Sequence, residues 1–187
     1  YGEIVSEGQS ARGNLTEATT LDPNLLTLEE SVMFYDANDR LTHITFTGGQ
    51  WLSFGYDAGG RRAVSEDQLG HQLNYTYDAA GWLQSMTNEL DQLVVSYEYD
   101  AAGRLARKTL GNGVVTTYGY DAAGQLLTLA NKLADETPIS WFNYTYDSRG
   151  RRTEMAAHYG TWTYEYDDLG QLIHAVLSST DPQIPDQ

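Results

Sequence analysis

The chain contains no cysteine among its 187 residues and only four prolines. The absence of cysteine excludes disulfides, thiolate catalysis and cysteine-ligated zinc. No apolar run approaches the roughly 18 residues that a transmembrane helix needs. The start, Tyr1-Gly2-Glu3, also lacks the charged and then apolar segments of a signal peptide. We therefore predict that this chain does not insert into a membrane.

Basic residues are scarce as well. Eleven Lys and Arg stand against 26 Asp and Glu, which gives a formal net charge of −15. Such a chain repels a phosphate backbone, so we predict no nucleic-acid partner. The hydrophobic fraction of 41% and the 14 tyrosines argue against wholesale disorder. The chain also begins without Met, which we take as a sign that it is a piece of a longer polypeptide.

Helical periodicity is nearly absent. The one candidate follows Pro23, where Leu25, Leu28 and Val32 share a face of a possible helix over residues 24–32. A short irregular segment is the alternative for these residues.

Seven copies of an aromatic and aspartate motif run through the chain at a period of about 21 residues. Their Asp residues are separated by 21, 21, 22, 21, 26 and 20 positions. The copies end in Phe34-Tyr35-Asp36, Phe54-Gly55-Tyr56-Asp57, Tyr75-Thr76-Tyr77-Asp78, Tyr97-Glu98-Tyr99-Asp100, Tyr118-Gly119-Tyr120-Asp121, Tyr144-Thr145-Tyr146-Asp147 and Tyr164-Glu165-Tyr166-Asp167. Glycine follows three residues later at Gly60, Gly81, Gly103, Gly124, Gly150 and Gly170, with Asp39 in its place in the first copy. Two residues further on stands Leu41, Leu83, Leu105, Leu126 or Leu172, replaced by Arg62 and Arg152 in two copies.

This unit predicts a β-hairpin, because Tyr, Thr and Val suit a half-buried strand and Gly suits a turn position with positive φ. A plain four-residue turn would set Tyr99 opposite Arg104. A type I turn with a G1 bulge would instead set Asp100 opposite Arg104 and Tyr99 opposite Leu105. The bulged turn separates the tyrosines and leucine on one face from Glu98, Asp100 and Arg104 on the other, so we predict it.

The period leaves room for a second turn, and turn residues are found in most copies. They are Gly48-Gly49, Gln68-Leu69-Gly70, Glu89-Leu90-Asp91, Gly111-Asn112-Gly113, Ala134 to Pro138, and Tyr159-Gly160. Each repeat therefore supplies two strands, or about fourteen in all. We place the extra residues of the 26-residue spacing in the loop Asp135-Glu136-Thr137-Pro138. The fold class is all-β: hairpins in one continuous antiparallel ribbon that spirals as a shell or solenoid.

The domain layout is inferred from where the motif matches. Residues 1–30 fit poorly and are interpreted as a degenerate repeat or an N-terminal cap, since terminal units of repeat arrays are atypical. Residues 31–177 form the repeat ribbon. Residues 178–187 contain two Pro and two Asp and are expected to form a flexible tail.

The unit Tyr-x-Tyr-Asp-x-x-Gly-Arg-Leu resembles the YD repeat of the Rhs family over residues 33–172. That family includes bacterial polymorphic toxins, BC components of insecticidal toxin complexes, and teneurins. The resemblance implies a β-ribbon that forms a hollow shell around a toxin, or an adhesive surface in teneurins. The sequence lacks an Asp-Pro-x-Gly segment after the last repeat, so neither autoproteolysis nor toxicity is predicted for this chain.

No catalytic, cofactor or metal site is predicted. The repeated Asp residues suit turns, where a carboxylate accepts backbone N–H bonds. His43, His71, His158 and His174 lack metal-ligand spacing and are interpreted as strand residues. Asp36-x-Asn38-Asp39 faintly resembles a calcium loop but is read as a turn that has lost its Gly. Trp51, Trp82, Trp141 and Trp162, taken as exposed, are possible glycan-stacking residues.

Two functions from different classes are predicted. The first is a structural segment of a large secreted or cell-surface bacterial protein, whose shell encapsulates or presents a toxin or effector domain. The second is a carbohydrate-binding or adhesive module that could self-assemble end to end through open strand edges. At about 4.8 Å per strand, fourteen strands give a ribbon of roughly 65 Å, too short to close around a domain. The predicted partners are therefore flanking YD repeats or copies of this chain.

Overall fold

The computed structural model describes residues 3–9, 13–21 and 27–179, and within these ranges every regular element is a β-strand. The chain divides into two compact units, Tyr1–Leu93 and Val94–Gln187. The N-terminal unit contains β1 (Glu3–Gln9), β2 (Leu15–Leu21), β3 (Thr27–Tyr35), β4 (Leu41–Phe46), β5 (Trp51–Tyr56), β6 (Arg62–Asp67), β7 (Gln72–Tyr77) and β8 (Leu83–Asn88). The C-terminal unit contains β9 (Leu93–Tyr99), β10 (Leu105–Leu110), β11 (Val115–Tyr120), β12 (Leu126–Lys132), β13 (Pro138–Tyr146), β14 (Arg152–Ala157), β15 (Gly160–Tyr166) and β16 (Leu172–Ser179).

Within each unit the strands are antiparallel and follow chain order across the sheet. Within each unit a strand contacts only its neighbours in chain order, so no second layer of that unit's described residues packs on its sheet. The prediction of an all-β antiparallel array of YD hairpins is confirmed. The prediction of a possible helix over residues 24–32 is wrong for residues 27–32, which belong to β3. Residues 24–26 lie outside the described ranges.

The turn after each YD pair has the predicted G1 bulge. Gly103 has φ 81°, and its N–H donates to the carbonyl of Asp100 at 2.9 Å. The N–H of Asp100 donates to the carbonyl of Arg104, and Tyr99 is opposite Leu105. The same pairing of Tyr with the residue two after Gly recurs at every YD turn from Tyr35 to Leu172. Asp39 takes the glycine's place with φ 62°, so the calcium-like segment is a turn.

Each hairpin has a second irregularity next to the turn. In the pairing of β9 with β10, Tyr99 is opposite Leu105 but Glu98 is opposite Arg107, so Ala106 has no partner. Such a bulge shifts the alternation of side chains by one residue on one strand. Tyr97 therefore shares its face with Lys108, and Glu98 shares the opposite face with Arg107.

We call the face of each sheet that bears the motif tyrosines the tyrosine face. The motif tyrosines are half-buried, whereas Phe34, Thr76, Glu98, Thr145 and Glu165, which stand between or beside them, are exposed on the opposite face. The core is thin: among the described residues, those buried almost completely are Val95, Val115, Thr116, Ala157, Gly160 and Leu177. Stability therefore depends on contacts between neighbouring strands.

The turns on the other edge repeat the same backbone pattern. Gly70 donates to the carbonyl of Asp67 and has φ 82°, while Asp67 donates to the carbonyl of His71. The predicted insertion loop has no extra length, because it spans only residues 133–137 and closes with the same two hydrogen bonds. The additional residues instead lengthen β12 and β13, which pair over five positions. A ladder gives each added backbone group a partner, which an enlarged loop does not.

The predicted flexible tail lies almost wholly outside the described residues. Its first two residues, Ser178 and Ser179, belong to β16, where they pair with Thr161 and Gly160.

Candidate functional site at the hairpin seam

Within each unit, most consecutive YD hairpins are joined by a short backbone ladder, with β12 and β13 as the longer exception. β4 pairs with β5, β6 with β7, and β10 with β11 over three positions each, all near the turns opposite the YD turns. Within a hairpin the ladder is longer, with five positions between β7 and β8 and six between β11 and β12. Near the YD turns, side chains therefore have to join one hairpin to the next. We call this region the seam.

Within each unit, a tyrosine hydroxyl crosses every seam. The second Tyr of a motif donates to the carbonyl of the residue that follows the preceding YD turn, as in Tyr56 to Leu41 at 2.6 Å and Tyr120 to Leu105 at 3.0 Å. The same bond is made by Tyr35 to Leu15, Tyr77 to Arg62, Tyr146 to Leu126 and Tyr166 to Arg152. The hydroxyl gives a backbone carbonyl the partner that the ladder no longer supplies.

An arginine crosses the seam in four copies. The Nε of Arg104 donates to Oδ2 of Asp100 at 2.7 Å, and its guanidinium carbon lies 4.7 Å from the ring centroid of Tyr120. Its Nη1 also donates to the carbonyl of Asp121 at 2.8 Å. Arg40, Arg61 and Arg151 stack on Tyr56, Tyr77 and Tyr166 in the same way. A planar guanidinium can make an ion pair and lie on a ring at once.

The motif Asp organises the turn that holds this arginine. Oδ1 of Asp100 accepts the N–H of Ala102 and of Arg104, while Oδ2 faces the guanidinium. The backbone N–H of Arg104 lowers the pKa of Asp100, and the guanidinium lowers that pKa further. For Asp36 the Arg40 side chain is the largest cause of the lowered pKa. These shifts keep the carboxylates ionised, as a structural ion pair requires.

Two turns on the other edge contain a pair of side chains similar to Asp100 and Arg104, which the sequence analysis did not predict. Oδ1 of Asp67 accepts the N–H of Leu69 and His71, and Oδ2 lies 2.9 Å from Nδ1 of His71. Asn88 holds the N–H of Leu90 and Gln92 in the same way. The signal was the spacing of Asp67 and Asn88 from Gly70 and Asp91, which matches the YD turn. His71 and His158 lie in turns, so their interpretation as strand residues is wrong.

A further YD-like turn near the N-terminus was also missed. Gln9 pairs with Leu15, as Tyr99 does with Leu105, and the register shifts beside it. Gly13 has φ 85°, and the carbonyl of Leu15 accepts the hydroxyl of Tyr35. The signal was the triplet Gly13-Asn14-Leu15, which keeps the Gly-x-Leu part of the motif after its Tyr and Asp are lost.

The four tryptophans do not form a common platform. Trp82 and Trp141 are exposed, but Trp51 and Trp162 are half-buried, so the expectation of four exposed rings is wrong. In the N-terminal unit, Trp51 begins β5 at the edge opposite the YD turns, whereas Trp82 lies in the YD turn before β8. In the C-terminal unit, Trp162 pairs with Met155 on the tyrosine face, whereas Trp141 pairs with Ala130 on the opposite face.

Within the ranges that the structure describes, no three His, Asp or Glu side chains come together as metal ligands. The same ranges contain no helix long and apolar enough to cross a bilayer.

The RHS Repeat family model matches residues 35–68, 77–113 and 99–134. The chain belongs to this RHS-repeat family, as its motif indicates. No curated protein matches the chain significantly.

Solved structures of Tc toxin proteins share the fold. A TcdB2-TccC3-Cdc42 structure aligns with 88% of this chain at 21% identity and a TM-score of 0.68. A Tc holotoxin pore from Photorhabdus luminescens aligns with 94% of this chain at 20% identity and a TM-score of 0.71. A TcdB2-TccC3 structure also aligns with 94% of this chain, at 20% identity and a TM-score of 0.68. This chain spans only 10–11% of the length of those chains.

Proposed function

We propose that this chain is a wall segment of a larger secreted bacterial protein, in which YD repeats enclose or present a toxin or effector domain. The observation that carries the proposal is the seam, because the same tyrosine and arginine contacts join one hairpin to the next along each unit. An array of this kind extends by adding hairpins with the same nearest-neighbour contacts. Its role is structural, and we assign it no catalysis.

The single-layer architecture supports a wall. Within each unit, no second layer of that unit's described residues covers either face of the sheet, and the motif tyrosines line one of those faces. The outer edge of β16, at the end of the described chain, is the place where a further hairpin would add. Resemblance in fold to the TcdB2-TccC3 structures, of which this chain covers about a tenth, agrees with a segment flanked by further repeats.

We also propose a layout for the array. Residues 1–30 are a degenerate repeat, since Gln9, Gly13 and Leu15 reproduce the YD turn and Tyr35 bonds to it as at a regular seam. Residues 31–177 are the regular array.

The decisive experiment is a cryo-electron microscopy structure of the complete polypeptide in which this segment occurs. We expect a further hairpin paired to the outer edge of β16 and density for another domain facing one side of the array. Limited proteolysis gives a second readout: the enclosed domain should resist a protease that digests the same domain expressed alone. An array with both faces open to solvent, together with equal digestion of the two forms, would overturn the enclosing function.

Light scattering of the isolated chain tests the adhesive alternative. Growth of mass with concentration would indicate end-to-end assembly of copies through the strand edges, whereas a constant monomer mass would leave flanking repeats as the partners.

A further inference from the structure

We propose that the tyrosine face of the C-terminal unit contains a binding site, centred on Arg152, for a carboxylate side chain of another polypeptide. A cavity of about 370 Å³ opens at this place on the sheet. It is lined by Tyr146, Gly150, Arg152, Tyr164, Tyr166 and Leu172. The inference goes beyond the structural function and does not depend on whether the array closes into a shell.

The one cationic residue that lines this cavity, Arg152, departs from the repeat. Arg152 occupies the position that is leucine in five of the seven YD copies, where the side chain lies on the tyrosine face opposite Tyr146. Its guanidinium carbon lies 4.5 Å from the ring centroid of Tyr144. A guanidinium held over a ring has several N–H groups, and those that do not face the ring can donate to an incoming acceptor.

The neighbouring Arg151 differs from Arg152 because it already has an anionic partner. Its Nε lies 2.7 Å from Oδ2 of Asp147, so that guanidinium is already paired within its own turn. Arg152 makes no ion pair with any described residue, and its side chain is exposed. A cation held in place by a ring and lacking an anion is suited to bind one from outside.

Acidic and basic strand residues of the C-terminal unit lie on opposite faces of the sheet, and this distribution favours an anionic ligand on the tyrosine face. The three acidic residues on the described strands of this unit, Glu98, Glu154 and Glu165, all lie on the face opposite the tyrosines. Its other described acids lie in or beside turns, and among the strand residues of this unit the charged ones on the tyrosine face are Lys108 and Arg152. A chain with a net charge of −15 thus presents one sheet face with cations and no strand carboxylate.

The surroundings indicate a polypeptide ligand. Tyr164 stacks on Trp162 with centroids 6.5 Å apart, and Phe142 stacks on Tyr144 at the same distance, so rings extend from the cavity along the face. An extended segment with a Glu or Asp between apolar residues could place its carboxylate on Arg152 and its neighbours on these rings. A small free acid would use only the cavity.

The test is a titration of the ¹⁵N-labelled chain with two capped peptides, acetyl-Leu-Glu-Leu-amide and acetyl-Leu-Gln-Leu-amide, followed by NMR. We expect the Glu peptide to shift the Arg152 Nε–Hε signal and to bind at least about tenfold more tightly than the Gln peptide. Arg152→Leu should abolish this preference, and it places at position 152 the residue that other copies carry there. Arg62→Leu, the same change at the equivalent position of the N-terminal unit, should leave the Arg152 signal responsive. Arg152→Lys provides a second variant that keeps the charge and should bind with intermediate affinity.

Equal affinity for the two peptides, or an unchanged preference in Arg152→Leu, would overturn the proposal. A third titration uses acetate at the same carboxylate concentration as the Glu peptide. If it shifts the Arg152 signal as much as the Glu peptide does, the site takes small carboxylates and the polypeptide ligand is wrong.

Discussion

The guanidinium carbon of Arg104 lies 4.7 Å from the ring centroid of Tyr120, the second tyrosine of the next YD copy. The same arginine pairs with Asp100 in its own turn and donates to the carbonyl of Asp121 in the following one. One side chain therefore ties two turns together where the backbone ladder between β10 and β11 has ended. Arg104 thus stabilises both its own turn and the contact between two consecutive hairpins.

Replacing Arg104 with Gln tests this dual role. Gln occurs naturally at the equivalent positions 125 and 171, so the turn itself should form. The ring stacking and the bond to the Asp121 carbonyl are lost, and we expect the free energy of unfolding to fall by on the order of 1 kcal/mol. Arg149→Gln is the matched control, because the Arg149 side chain makes only a long 3.4 Å contact with the Asp168 carbonyl among the described residues. Urea denaturation followed by tryptophan fluorescence measures both, and equal effects would contradict the role of Arg104.

Replacing Tyr120 with Phe removes the hydroxyl but keeps the ring under Arg104. The carbonyl of Leu105 then loses its donor, and we expect a destabilisation of about 1 kcal/mol. Tyr118→Phe changes a tyrosine of the same strand, also half-buried, whose hydroxyl makes no such bond to any described residue, and should have little effect. Hydrogen exchange should also accelerate near Leu105 in Tyr120→Phe only. A similar response in both variants would mean that the hydroxyl does not hold the seam.

The sequence predicted the hairpin and its bulged turn because both depend on local chemistry. The order Asp, Gly and Leu in one turn fixes where φ becomes positive, and the apolar pattern then selects the pairing of Tyr99 with Leu105. The seam could not be predicted in this way, since Arg104 and Tyr120 meet only once the register between two hairpins is known. The added length before Asp147 was misplaced because the sequence around the turn looked like a loop, whereas pairing of β12 with β13 absorbed the residues.

Two glycine substitutions separate backbone strain from steric contact. Gly70 and Gly113 both occupy turns with positive φ, at 82° and 83°. A Cβ at Gly70 meets nothing within 4 Å, whereas a Cβ at Gly113 falls 2.6 Å from the Cβ of Ala134. Gly70→Ala should therefore cost only the left-handed conformation, about 1–2 kcal/mol. Gly113→Ala should cost more, and Gly113→Ala combined with Ala134→Gly should recover the difference. Thermal unfolding of the three variants measures these differences. An equal loss of stability in Gly70→Ala and Gly113→Ala would exclude a steric contribution at Gly113.

The Asp67 and His71 pair makes one turn sensitive to pH. Hydrogen bonding and attraction to Asp67 raise the pKa of His71 above its ordinary value of 6.5, with a smaller contribution from Glu89. The hydrogen bond from His71 in turn lowers the pKa of Asp67 below 3.8. The stabilisation due to His71 is therefore fully present below pH 6.5 and is lost as the pH rises through the raised pKa. That due to Asp67 is present above pH 3.8 and is lost as the pH falls through the lowered pKa.

An NMR titration of the His71 ring checks this pair directly. We expect the pKa of His71 to lie above 6.5 in the natural chain and to fall toward 6.5 in Asp67→Asn, which removes the negative charge but keeps an oxygen for the backbone N–H groups. Glu89→Gln should lower it less, because Glu89 acts only through longer-range attraction. His71→Arg places in this turn the residue that pairs with Asp57 and Asp100, so its thermal stability should no longer decline between about pH 6 and pH 9. A His71 pKa that is the same with Asp67 and with Asn would show that the 2.9 Å contact is not maintained in solution.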